Sequence, residues 1–181
     1  MTEQVILVDE RDREHGTTSK LEAHRHGVLH RAFSVFVVDR AGRLLLQQRA
    51  RGKYHSGGRW TNTCCGHPRP GEAVGAAAER RLREEMGFAC KLRPVGRFLY
   101  RAAVGAGLIE HELDHVFVGR FDGQPRPVVA EARGWRWARL PDVHRELAHW
   151  PARFTVWFGP ALAVATPHLH AERTAPHEEE T

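Results

Sequence analysis

Short apolar runs separated by turn residues occupy both flanks of one long amphipathic stretch. Val5–Val8 is apolar and predicts a first strand. Glu10 to Gly16 is charged and turn-like, and Lys20 to His30 is a polar segment carrying His24, His26 and His30. Phe33–Val38 is apolar and β-branched, Asp39–Gly42 is turn-like, and Leu44–Gln48 is apolar again, which predicts a hairpin. Arg49–Arg59 reads as a basic, Gly-rich loop. Glu72–Met86 has no Pro, is rich in Ala, Glu, Arg and Leu, and stops at Gly87, so it predicts a helix. Strands are expected at Pro94–Tyr100, Ile109–Phe121 and Gly134–Ala138, with a loop at Arg101–Leu108. Pro141 opens a short helix. Ala152–Ala165 is a last helix, bent near Gly159 and Pro160. From Thr166 the chain is polar and acidic, so residues 166–181 are expected to form a flexible tail behind a single domain over 1–165. Strands surround a strong helix without βαβ regularity, which predicts an α+β fold: a mixed β-sheet flanked by helices.

Composition narrows the function classes. A chain of 181 residues with 41% hydrophobic content can bury a real core. No apolar run approaches membrane-spanning length, and the start, Met-Thr-Glu-Gln, does not resemble a signal peptide. Three Cys, two of them adjacent, do not make a disulfide framework, so a reducing, cytoplasmic setting is expected. The net charge of +5 would suit an anionic partner, but the Arg-over-Lys bias looks compositional. No Lys/Arg run or aromatic-interleaved basic stretch points to nucleic acid.

Candidate chemistry concentrates between Trp60 and Phe88: a thiol pair, an imidazole, and a helix ending in carboxylates. On a helix Arg81, Glu84 and Glu85 share a face. By themselves Glu84 and Glu85 could simply pair with Arg80 and Arg81 as a solvated face. The spacing adds to that. Gly66, Glu72, Arg80, Leu82, Glu84, Glu85, Gly87 and Phe88 resemble the Nudix box. Arg81 departs from it, standing where Nudix hydrolases carry a metal-binding Glu. That substitution argues against diphosphate hydrolysis and for diphosphate binding. The resemblance implies a Nudix fold, an α/β/α sandwich.

The preceding residues, Trp-Thr-Asn-Thr-Cys-Cys-Gly-His-Pro, resemble the Cys motif of type I isopentenyl-diphosphate isomerases, and Glu110-His111-Glu112 resembles that family's Glu-any-Glu motif. The likeness spans about Gln4 to Trp157. It implies an intramolecular allylic isomerase of isoprenoid biosynthesis, interconverting isopentenyl and dimethylallyl diphosphate. One proton is delivered to C4 and another removed from C2, on opposite faces of the substrate. This needs two proton-transfer groups in a site dry enough to protect a carbocation-like state. The family pattern assigns these roles to Cys65 and Glu112, with the choice of acid and base open. Cys64 and Cys90 read as small buried hydrophobes.

The resemblance also implies a metal site of His24, His30, His67, Glu110 and Glu112 suited to Mn²⁺ or Zn²⁺. His26 competes with His24 for its place. Of the remaining imidazoles, His55, His115, His144 and His149 read as surface residues. Lys20, Arg49, Lys53 and Arg81 are implied to meet the substrate diphosphate, with Mg²⁺ between phosphate, Glu85 and the backbone of Cys65. Tyr100 is implied to hydrogen-bond Glu112, and Trp157 to face the developing cation. Trp60, Trp135 and Trp137 read as core. The expected partner is a small isoprenoid diphosphate, with no nucleic acid and no membrane, on a monomer or weak dimer. The alternative activity is Nudix hydrolysis of a nucleoside or other diphosphate.

Overall fold

The computed structural model describes residues 3–174. In chain order the elements are β1 (Gln4–Val8), β2 (Glu14–Ser19), α1 (Lys20–His26), β3 (His30–Val38), β4 (Arg43–Arg49), β5 (Trp60–Thr61), β6 (Cys64–Gly66), α2 (Val74–Met86), β7 (Leu92–Gly105), β8 (Leu108–Arg120), β9 (Ala132–Arg139), α3 (Leu140–His149) and α4 (Phe158–Thr174). A single 3₁₀ turn, Pro151–Arg153, precedes α4.

The strands form one mixed sheet. β3 and β8 run parallel, with His30 opposite Glu112, and the other named pairings are antiparallel. The expected β3–β4 hairpin exists but pairs only at Val38 and Leu44. Beyond that point β3 continues beside β6 and β8, while β4 continues beside β5 and β9.

Strand parity sends alternate side chains to two cores. Phe33, Val35 and Val37 pack with Ala77, Ala78, Leu82 and Met86 of α2. Phe36 and Val38 pack with Phe158, Ala161, Leu162 and Ala165 of α4. The sheet is thus covered on both faces, as the α/β/α expectation requires.

Three of the differences from the sequence expectations have a clear tertiary cause. Glu14–Ser19 is a strand, because it pairs with β1 from Gln4 opposite Ser19 to Val8 opposite Glu14. β7 runs through Arg101 to Gly105, with the turn confined to Ala106 and Gly107, because its partner β8 begins at Leu108. The last helix begins at Phe158, with Gly159 and Pro160 in its first turn, and runs through Pro167 to Thr174. The expected tail therefore does not begin at Thr166. Leu169 continues the seam of Ala161, Leu162 and Ala165 and is buried in the same core. Residues 175–181 of that expected tail lie outside the described residues.

Two helix ends matter for the site. Ser19 caps α1, its hydroxyl accepting from the Glu22 amide at 3.3 Å. Gly87 ends α2 at φ 72°, and a Cβ there would lie 2.4 Å from the Arg126 carbonyl oxygen.

Candidate active site

The β8 residues Glu110, Glu112 and Asp114 are buried, alternate with the partly buried Ile109, His111 and His115, and share the face that carries Val116 and Val118 farther along. The α4 end of this face is apolar and covered. The other end is polar and opens into a cavity of about 750 Å³.

The adjacent Cys residues divide by the same parity. On β6, Cys64 lies opposite Val35 and is buried in the α2 core, while Cys65 lies opposite Ser34 and lines the cavity. The preceding Thr-Asn-Thr segment is buried and fixes β6. Thr63 donates to the Leu45 carbonyl at 2.8 Å and accepts from the Val37 amide at 2.9 Å. Asn62 accepts from the Trp157 indole at 3.3 Å, tying the cavity's aromatic wall to the Cys strand.

His24, His30 and His67 converge on Glu112. Their Nε2 atoms lie 3.9, 3.4 and 2.9 Å from its Oε1. His24 and His30 are wholly buried, and their Nε2 atoms have no hydrogen-bond partner. Nδ1 of His30 meets the Val28 carbonyl at 2.8 Å, which leaves the Nε2 lone pair directed inward. Two orphaned buried imidazole nitrogens beside a third imidazole and a carboxylate fit a divalent cation. His26 is instead exposed and pairs with Glu22 at 3.2 Å.

Glu110 stands outside this group of four. Its carboxylate meets Nε2 of His55 at 3.2 Å and the Tyr100 hydroxyl at 2.9 Å. The same hydroxyl also reaches Glu112. Burial would push the Glu112 carboxyl up, but the imidazoles of His24, His30 and His67 gathered on it outweigh that and hold the group well below its usual range. Burial pushes the Cys65 thiol up to about 12, with Glu85 and Glu112 acting the same way and Arg49 opposing. The thiol therefore keeps its proton at neutral pH.

The basic residues line the same cavity, each beside acidic or aromatic neighbours. Lys20 pairs with Glu3 at 3.1 Å and Lys53 with Glu131. Arg81 donates to Glu84 at 2.8 Å and also to Glu85, and it lies 3.3 Å from Glu131. Glu85 is buried and also accepts from Gln47 at 3.0 Å. The guanidinium of Arg49 lies 5.3 Å from the Trp157 ring centroid and 3.9 Å from the Cys65 sulfur.

Every site residue expected from the sequence lines the cavity except His24 and His30, which are buried in the candidate metal-ligand group. Among the cavity residues that sequence reasoning missed are His55, Tyr54, Glu131 and Asp114. His55 is buried rather than at the surface, because the loop after β4 folds inward over Glu110 and burial is compensated there. His115, also expected at the surface, is partly buried, with Nε2 3.0 Å from Asp12. Tyr54 and Glu131 sit on loops with no periodic signal. Asp114 did carry one: it continues the alternation of Glu110 and Glu112 along β8. Trp60, Trp135 and Trp137 pack against the two cores, partly buried.

No helix among the described residues is long and apolar enough to cross a membrane. The family model described as NUDIX domain matches residues 28–158. An isopentenyl-diphosphate Delta-isomerase of Burkholderia multivorans is 60% identical over 87% of this chain and 90% of its own length. One of Nocardia farcinica is 52% identical over 89% of this chain and 93% of its own length. Among solved structures, a Deinococcus radiodurans protein superposes with a TM-score of 0.72 at 21% identity, covering 92% of this chain and 99% of that one. A MutT NUDIX hydrolase from Burkholderia pseudomallei gives 0.60 at 24% identity over 75% of this chain and 97% of its own. At those identities the solved structures speak for the fold, whereas the curated relatives are matched over most of their own length. This chain belongs to the isopentenyl-diphosphate Delta-isomerase family, on a NUDIX domain.

Proposed function

We propose that this isomerase interconverts isopentenyl and dimethylallyl diphosphate with Cys65 and Glu112 as its proton-transfer pair. The observation that carries the reading is that both side chains face one cavity, while Arg81 neutralises the acidic helix face that hydrolysis would need. In the reaction one member gives a proton to C4 and the other takes a proton from C2, so none is gained or lost overall. In the reverse direction the roles exchange. A thiol that keeps its proton beside a carboxylate held ionised supplies one donor and one acceptor at neutral pH.

Tyr100 positions the Glu112 carboxylate through its hydroxyl. The Trp157 ring stabilises positive charge developing at C3 by about 1–2 kcal/mol once desolvated. Its engagement with Arg49 supports that use of the ring. Lys20, Arg49, Lys53 and Arg81 bind the diphosphate, which takes over from the carboxylates of Glu3 and Glu131 as their counter-charge.

His24, His30, His67 and Glu112 would hold Mn²⁺ or Zn²⁺, and Glu110, two residues along β8 at the edge of that group, would be a fifth donor. Glu85 and the Cys65 backbone would hold Mg²⁺ with the diphosphate. The cations, when bound, supply charge that lowers the proton affinity of Glu112 and neutralises the diphosphate.

Incubation with isopentenyl diphosphate and Mg²⁺ tests the reading. The expected product is dimethylallyl diphosphate. Release of phosphate without that product would instead identify a diphosphate hydrolase.

A further inference from the structure

The loop between β4 and β5 carries Lys53, assigned above to the diphosphate, and then two residues with no role so far. The Tyr54 hydroxyl meets Nδ1 of His24, and the Tyr54 ring stacks on that imidazole with centroids 5.7 Å apart. His55 places Nε2 3.2 Å from a Glu110 oxygen, and its ring stands edge-on to that of His24 with centroids 5.6 Å apart.

This loop is held in place by its own backbone. The Arg49 amide bonds the Arg59 carbonyl at 2.9 Å, and the Gly58 amide bonds the Arg49 carbonyl at 3.1 Å. The Arg49 guanidinium reaches the His55 carbonyl at 3.3 Å. Ser56 turns the chain at φ 53°, and a Cβ on Gly57 would lie 2.6 Å from the Arg51 carbonyl oxygen. The side chains of Tyr54 and His55 are therefore delivered to fixed points.

An imidazole that offers Nε2 to a cation must carry its proton on Nδ1, and a buried N–H needs an acceptor. For His30 that acceptor is the Val28 carbonyl. For wholly buried His24 it is the Tyr54 hydroxyl, which comes from a different part of the chain.

We propose that Tyr54 and His55 are positioning residues of the metal centre. Tyr54 fixes the tautomer and ring angle of His24, and His55 holds Glu110 at the edge of the ligand group. The inference rests on the reading of His24, His30, His67 and Glu112 as metal ligands. It makes metal affinity depend on the loop whose preceding residue faces the diphosphate.

The test is competition of the full-length protein against a chromophoric chelator for Mn²⁺ and Zn²⁺, together with the visible spectrum of the Co²⁺-loaded protein. Tyr54→Phe keeps the stacked ring and loses the oxygen. It is expected to weaken binding roughly 10- to 100-fold and to shift the cobalt bands, with an unchanged far-ultraviolet circular dichroism spectrum. Tyr54→Gln, which restores an acceptor oxygen, is expected to regain part of that loss. His55→Phe, which loses the Glu110 contact, is expected to weaken binding as well. Parental affinity and cobalt bands in Tyr54→Phe overturn the role of Tyr54, and parental affinity in His55→Phe overturns that of His55. A parent protein whose metal uptake is unaltered by His24→Ala overturns the ligand reading itself, which separates that failure from failure of the inference.

Discussion

Ser34 and Cys65 lie directly opposite each other on antiparallel strands, and the register between them decides which of two adjacent cysteines reaches the cavity. A shift of one residue would bury Cys65 in the α2 core and turn Cys64 outward.

Cys65→Ala is accordingly expected to lower turnover by about 10²- to 10⁴-fold, the scale of a positioned proton-transfer group. Cys64→Ala is expected to retain turnover and to lose only a little stability, since a small buried group is removed. Parallel assays of dimethylallyl diphosphate formation and thermal melts check both. Full turnover in Cys65→Ala would remove the thiol from the mechanism.

Glu112 is the oxygen donor on which three imidazoles converge. Glu112→Gln is expected to abolish turnover and to reduce metal bound at the His site, measured by elemental analysis after gel filtration. Metal content equal to the parent's would show that Glu112 is not a ligand. Stripping the parent with a strong chelator is expected to abolish turnover, with recovery on adding back Mn²⁺ or Zn²⁺ along with Mg²⁺.

Arg81 sits among Glu84, Glu85 and Glu131. Arg81→Glu would place a fourth carboxylate there and remove one charge-assisted contact to the diphosphate, a contact of about 1.5–3 kcal/mol. The expected result is a KM roughly 10- to 100-fold higher, without phosphate release. Steady-state kinetics with a parallel phosphate assay would expose the opposite outcome, an unchanged KM.

Leu169 tests the last helix. It is buried in the core formed by β3, β8 and α4, beyond the point where the sequence alone predicts a tail. Leu169→Ala is expected to cost about 2–5 kcal/mol of stability. Denaturant unfolding that leaves the midpoint unchanged would mean the helix contributes nothing past Ala165.

Much of this protein is legible from the sequence because its signals are local. The apolar run of β3, the turn residues that bound the strands and the helix-forming composition of α2 are short-range signals, so the α+β class and the main elements follow from them. The thiol, imidazole and carboxylate motifs are contiguous, so their residues can be named without a fold. What is not local is illegible. Glu14–Ser19 becomes a strand only because β1 pairs with it, and polar Thr166–Thr174 stays helical only because Leu169 finds the core.

The sequence by itself determined the fold class, the Nudix-like spacing with its Arg81 exception, and the candidate residues for the chemistry. Only the tertiary structure decided between His24 and His26, and it turned Cys65 rather than Cys64 to the cavity. It also brought Tyr54 and His55 onto the ligand group. The reason is physical: which neighbour a side chain meets depends on strand register and on loops closing over a sheet. Those contacts join positions far apart in the chain, and no local pattern encodes them.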